Sequence, residues 1–326
     1  MAKNNKDKNE EAKKFKEFVL FSEEMKEISE KYGFSHGKRV TLTAIYYSFP
    51  SNQNASGSTG TNVISQKIIP WGEEAEPRIY ISPYAIKRRI RDYWIKKKLP
   101  CVMAENTVDA KSNSADARND IKNAIKKYID VDLFGFMYEE KINRPGPITT
   151  WGAVSLEPIH QFIDFNSCIL NVKDESSGGG SLINRSISKE FYFASFYINP
   201  DLILYSNDEY VGDNKEERLN RLENFLEAVD YALQKDSGGA RDRPACIFKL
   251  VEINDFGYGD SDKKIFKCIN VANDKLKFTE IPTFKSNKTY YYADKLFFDE
   301  TEEKLSKLGQ KWKIKEIAEE IVYSKN

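Results

Sequence analysis

Ile79-Tyr80-Ile81-Ser82-Pro83-Tyr84-Ala85-Ile86-Lys87-Arg88-Arg89-Ile90-Arg91-Asp92-Tyr93-Trp94-Ile95-Lys96-Lys97-Lys98 carries the strongest local structural signal in the chain. A short extended run ends at Ser82, a residue type that caps helices by accepting a bond from an orphan backbone N–H. Pro83 then supplies a preset φ where the missing N–H costs nothing, so a helix is expected to begin here. Ile86, Ile90, Tyr93 and Trp94 recur at helical spacing and form an apolar stripe, while Lys87, Arg88, Arg91 and Lys98 project from the other flank. One face packs and the other is cationic. Orphan amides, the helix dipole and basic side chains together favour an anion such as a phosphate backbone. The plainer reading is an amphipathic helix with a solvated charged face.

Working outward, Arg39 to Phe49 is rich in β-branched and aromatic residues and reads as a strand that Pro50 closes. The following twenty residues include Ser51, Asn52, Asn54, Ser56, Gly57, Ser58, Gly60 and Asn62, a loop too long for a simple connection and therefore one expected to bind or move. After the basic helix, residues 101–117 are small and polar. A second helix from about Ala117 to Ile129 should turn Ile121, Ile125, Tyr128 and Ile129 inward. Asp132-Leu133-Phe134-Gly135-Phe136 reads as a turn leading into a strand, and Arg144-Pro145-Gly146-Pro147 as a rigid loop. Val172 to Ser188 holds Lys173, three consecutive glycines from Gly178 and Arg185, with Lys189 just beyond. It suggests a protruding hairpin or loop.

Phe191 to Ile198 is an aromatic strand. Leu219, Leu222, Phe225, Leu226, Val229 and Leu233 mark a helix that docks on a sheet. Ser237-Gly238-Gly239-Ala240-Arg241-Asp242-Arg243-Pro244 ends it, and Ala245 to Ile253 alternates as the next strand. The order strand, helix, strand, helix, glycine loop, strand is a split βαβ pattern, as in ferredoxin-like and RNA-recognition folds. A Tyr-rich strand, Thr289 to Tyr292, and a C-terminal helix from about Glu302 to Tyr323 complete the α+β chain. At the other end, residues 1–14 are a polar charge run, read as disordered, before a helix from about Phe15 to Tyr32.

Composition narrows the function classes. The 326 residues are 40% hydrophobic, enough for a proper core, and Lys plus Arg equals Asp plus Glu at 50 each. With no net charge, any polyanion site must come from local clustering. Neither a secretory signal nor an apolar run of membrane-spanning length is seen, so a cytoplasmic location without membrane contact is expected. Cys101, Cys168, Cys246 and Cys268 stand far apart, which argues against a zinc knuckle or a disulfide framework. His36 and His160 are the only histidines and show no partner arrangement. No catalytic residue, cofactor or metal site is expected.

Three segments in order resemble one family, the backbone subunit of type I CRISPR interference complexes, and within this Cas-seven family the type I-B or DevR branch. They are the Ser82, Ile86, Lys87, Arg88, Ile90, Arg91 pattern; the run from Asp132 to Phe136 with the Gly146-Pro147-Ile148 loop and Ser155-Leu156; and Phe191 to Ile198 with the helix and glycine loop behind it. The chain departs from the family's pattern at Pro83 and Tyr84, where Gln is common. The resemblance implies a modified RNA-recognition palm over 38–300, with finger insertions at about 51–75 and 100–130 and a thumb loop at about 166–190. An N-terminal tail and helix, 1–37, and a C-terminal helix, 301–326, flank it.

The resemblance further implies an antiviral, non-enzymatic subunit. It would bind the CRISPR guide RNA, polymerise with further copies of itself along the spacer, meet target DNA through the guide, and join other Cascade subunits. Ser82, Lys87, Arg88 and Arg91 would hold phosphates, Lys173, Arg185 and Lys189 would lie near RNA on the thumb, and Arg241 and Arg243 would add a backbone contact. Such a grip ignores base identity, which a programmable guide requires. Two other classes compete: a metal-dependent RNA-cleaving relative using Asp109, Asp116 or Asp120, and a regulatory or structural protein without nucleic acid.

Overall fold

A computed structural model describes residues 37–51, 55–58, 63–71, 75–105, 114–138, 142–159, 162–168, 181–206, 209–234, 244–286 and 288–323. Six strands form its centre: β1 (Lys38–Ser51), β2 (Glu76–Ile81), β3 (Ile148–Ser155), β4 (Ser181–Ile198), β5 (Ala245–Asp255) and β6 (Lys288–Ala293). Their spatial order is β6-β5-β1-β4-β3-β2, antiparallel throughout. Gln310–Lys311 extends the β6 edge and Ile68–Trp71 the β2 edge. The principal helices are α1 (Pro83–Lys96), α2 (Ser114–Lys127), α3 (Ile129–Phe134), α4 (Lys215–Ala228), α5 (Ser261–Cys268) and α6 (Ile314–Val322). The fold is mixed α+β. Its sequence β1, α1, β3, β4, α4, β5, with β5-β1-β4-β3 side by side, is a doubled β-α-β unit.

Residues 41–48 of β1 are buried without interruption. The reason is that both faces of the sheet are covered, so inward and outward positions are equally dry. On one face Val40, Leu42, Ala44 and Tyr46 join Ile86, Ile90 and Trp94 of α1 and Leu222, Phe225 and Leu226 of α4. On the other, Ile45 and Tyr47 join Phe191, Phe193 and Leu250 beneath Ile265 of α5, Leu276, Phe278, Phe298, Leu305 and Leu308. Burial at about 25 cal/mol per Å² of apolar surface makes these two cores the main source of the fold's stability.

Several expectations needed correction. The single C-terminal helix is broken into Glu302–Ser306, the short strand Gln310–Lys311 and α6. Gly309 explains the break, because its φ of 144° is open to glycine and a Cβ there would lie 2.3 Å from Thr289 Oγ1. The Asp132–Phe136 segment is helical to Phe134, where Gly135 at φ 72° ends the helix. Arg144 and Pro145 belong to a strand, Ile142–Pro145, paired with Gly135–Tyr138, so the rigid loop shrinks to Gly146-Pro147. β1 runs past Pro50 to Ser51 after a register irregularity.

Residues 181–190, expected in a thumb loop, are strand instead, and with part of the 51–75 segment they form one β arm. The outer half of β4 pairs antiparallel with Phe162–Cys168, Phe162 facing Ile187, and parallel with Val63–Ile64 through Asn184 and Arg185. One strand thus runs unbroken from the arm into the sheet centre. The N-terminal tail and helix, His36, His160, and the glycine loop before Pro244 lie outside the described residues.

Candidate nucleic-acid interface

Ser82 has extended backbone, and its Oγ accepts a hydrogen bond from the Ala85 N–H at 3.4 Å, with Pro83 in the first turn. This fixes where α1 starts. Ile86, Ile90 and Trp94 are buried, the Trp94 Nε1–H donates to the Asn224 carbonyl at 3.1 Å, and Tyr93 stacks on Tyr231 at 4.0 Å. Anchoring one side so firmly leaves Tyr84, Lys87, Arg88 and Arg91 on a common flank at positions i, i+3, i+4 and i+7. Arg89, between them in sequence, turns inward, and burial lowers its pKa to about 10. Lys98 lies just past the helix, exposed, at φ 60°.

The three flank cations have different surroundings. Arg88 Nε donates to Asp92 Oδ1 at 3.0 Å, an exposed pair of the kind worth at most about 1 kcal/mol and easily exchanged. Arg91 Nε donates to Asp130 Oδ2 at 3.2 Å, and the other oxygen of that buried carboxylate accepts from the Val102 N–H at 3.0 Å. Lys87 has no carboxylate partner among the described residues. Its Nζ sits 5.1 Å above the Phe134 ring, with the Arg91 guanidinium 5.2 Å from the same ring. Burial, followed by the charge of Arg91, pulls the Lys87 pKa below the usual lysine value. A half-buried ammonium beside a second cation is a site that an anion would stabilise.

Asp132 and Arg144 explain how α3 comes to carry Asp130 and Phe134 beneath this flank. Asp132 is fully buried, accepts from the Leu204 N–H at 2.9 Å and pairs with Arg144 at 3.1 Å, with Arg221 3.9 Å away. Arg144 also donates to the carbonyls of Val131, Asp132, Leu202 and Tyr205. Burial raises the Asp132 pKa, opposed by Arg144 and Arg221. Sequence reading missed this node. Its partners lie 12, 72 and 89 positions from Asp132, and no spacing rule links them.

Ser82, Lys87, Arg88 and Arg91 share α1 and its entry. Arg185 and Lys189 sit on β4, Arg185 in register with Asp164 and Ile64. Lys173, Arg241 and Arg243 fall outside the described residues, as does Asp109, while Asp116 and Asp120 lie on α2. Among the described residues no three His, Cys, Asp or Glu side chains are grouped to hold a metal, and no helix is long and apolar enough to cross a membrane. Burial pushes Cys101 up to about 12 and raises Cys246, so neither offers a thiolate at neutral pH. The sheet face on which RNA-recognition folds stack bases is closed here by α5 and the segments after it. On the α1 flank Lys87 differs from the exposed lysines elsewhere, such as Lys263 and Lys277, in being half-buried beside a second cation.

A model of the family described as CRISPR-associated negative auto-regulator DevR/Csa2 matches residues 53–254, well over half of the chain. Two solved structures share the fold. A chain of a CRISPR RNA-guided surveillance complex aligns at TM-score 0.52 and 12% identity, covering 86% of this chain and 98% of that chain. A chain of a CRISPR RNA-guided surveillance complex in a pre-nicking state aligns at 0.55 and 13%, covering 86% and 99%. No curated protein matches.

Proposed function

Because this chain belongs to the DevR/Csa2 family of CRISPR-associated proteins, we propose that it is a non-enzymatic guide-RNA-binding subunit of a type I-B CRISPR complex. Copies of it line the spacer and hold the ribose-phosphate chain along α1. The doubled β-α-β sheet is then an RNA-recognition-like palm, and the β arm carries the finger and thumb. Target DNA meets the bases of the guide, other Cascade subunits cap the filament, and the assembly works in the cytoplasm.

The observation that carries this reading is Lys87. Its ammonium is half-buried against Phe134, beside Arg91, with no carboxylate to balance it among the described residues. A phosphate supplies the missing countercharge, and Arg88 can leave the exposed Asp92 to join it. Neither contact reads a base, as a programmable guide demands.

Purification from a host carrying the CRISPR array tests it. Short RNA with a repeat-derived handle should travel with the protein, stay intact when divalent cations are added, and bind with an affinity that falls with salt. Removing Lys87 should lower the slope of log affinity against log salt by about one unit. Absence of bound RNA and no affinity for single strands would leave a regulatory or structural protein, and metal-dependent cleavage would leave a nuclease.

A further inference from the structure

Tyr84 is the most exposed residue of the flank, with 85% of its surface open. No hydrogen bond or ring contact holds it among the described residues, although it sits in the first turn of a helix whose opposite side is packed with aromatic rings. It shares a stripe with Lys87 and Arg88 one turn away, about 5 Å along the axis, and with Arg91 about 10 Å away. Folding gains nothing from an aromatic ring placed there. A charged side chain would suit an exposed first turn better, and the remainder of the stripe is cationic.

We propose that Tyr84 is a stacking platform for one nucleobase of the RNA strand whose phosphates Lys87 and Arg88 hold. This rests on the RNA-backbone reading above and deepens it, because the sheet face that would otherwise stack bases is closed by α5 and its neighbours. The α1 flank must then supply both parts of a single-strand site, cations for the backbone and a ring for the base. Every base has a π-face, so stacking adds affinity and fixes the strand's position without reading its sequence. A ring and a cation one turn apart can engage a base and a neighbouring phosphate together.

Oligouridine carrying single 2-aminopurine substitutions is the probe, since this base loses fluorescence when stacked on a ring. The full-length chain should quench the probe. Tyr84→Ala should abolish the quenching and weaken binding about tenfold at fixed salt, with the salt slope unchanged. Tyr84→Phe, which keeps the ring and loses the hydroxyl, should behave as the parent chain. Lys87→Ala should do the reverse, lowering the slope and keeping the residual quenching. Circular dichroism melts should coincide for the parent, Tyr84→Ala and Tyr84→Phe, and Lys87→Ala should remain folded at the assay temperature.

Unchanged quenching and affinity in Tyr84→Ala would overturn the stacking role, and so would a Tyr84→Phe variant as weak as Tyr84→Ala. Loss of self-association without any change in quenching would instead assign Tyr84 to a contact between copies. In each of these cases a lowered slope in Lys87→Ala leaves the RNA-backbone reading standing. If the parent chain binds no probe, both fall.

Discussion

Lys87 concentrates the functional argument in one side chain. Its pKa is below 10.5 in the folded chain because its surroundings, burial first and Arg91 second, disfavour the charged form. Between that lowered value and 10.5 the unfolded chain binds more protons, so the folding penalty of Lys87 is relieved as pH rises through the window. RNA binding has the opposite sign, because a phosphate favours the ammonium. Affinity for a single-stranded oligonucleotide should therefore decline as pH rises into this window, earlier than an ordinary lysine would cause. Lys87→Arg should flatten the decline, as a guanidinium keeps its charge there. Fluorescence anisotropy from pH 7.5 upward measures it, and parallel curves for the two proteins would remove Lys87 from the site.

Asp132 is the residue-scale counterpart for stability. Asp132→Ala leaves Arg144 and Arg221 buried without their shared carboxylate, which costs about 3–5 kcal/mol in cases of this kind. Urea denaturation should show a loss of that size. A loss under 1 kcal/mol would mean that the arginine–carbonyl bonds alone hold the node. RNA affinity per folded molecule should fall as well, because the node positions α3 and with it Phe134 and Asp130 beneath Lys87 and Arg91.

At the scale of elements, the sequence was readable wherever the signal is local. The Ser82 cap, Pro83 and the apolar spacing from Ile86 to Trp94 gave α1, and the same periodicity gave α4, because neighbours along one helix decide both. The alternation of such segments showed a mixed α+β chain, but Ile148–Ser155, which supplies β3, was not read as a strand. What stayed hidden depends on distant backbone. The break between Glu302–Ser306 and α6 is set by Gly309 lying against Thr289, twenty positions away, and helical spacing continues misleadingly across it. The closed second face of the sheet was equally invisible, since an all-buried β1 and a half-exposed one both read as a strand. At the candidate site the cations of α1 were legible as one flank of a helix, whereas Asp130 and Phe134, which separate Arg91 from Lys87 in character, come from α3 and no local spacing links them to it.

Gly146→Ala tests the close packing after α3. A Cβ there would lie 2.3 Å from the Phe134 carbonyl carbon and 2.5 Å from the Gly135 nitrogen, backbone atoms that cannot rotate away. The hairpin of Gly135–Tyr138 and Ile142–Pro145 must shift, at a cost of about 1–3 kcal/mol or more. A lowered melting temperature is expected, with RNA affinity weakened as Phe134 moves under Lys87. Retention of the parent melting temperature would show that the junction is looser than its geometry.

At the scale of the whole molecule, the proposed functions of RNA grip and assembly fall on different parts of the architecture. The described core residues of the central sheet come from β1, β2, β3, β5, β6 and the inner half of β4, packed against the helices, whereas residues 181–187 of β4 pair with Phe162–Cys168 and, through Asn184 and Arg185, with Val63–Ile64. Phe162 and Ile187 are cross-strand partners, so their Cα atoms are about 5 Å apart and a short Gly-Ser linker can replace the segment between them. The shortened chain should keep its unfolding midpoint within a few degrees, and bind a short oligonucleotide with the parent salt slope to within the contacts of Lys173 and Arg185. On a spacer-length RNA, however, it should load fewer copies, because a filament needs each copy to reach its neighbour and α1 cannot extend beyond the palm. Native mass spectrometry of both proteins on the same RNA reads the copy number directly. Equal loading would assign assembly to the palm, and a collapse of the salt slope would move the phosphate grip from α1 to the arm.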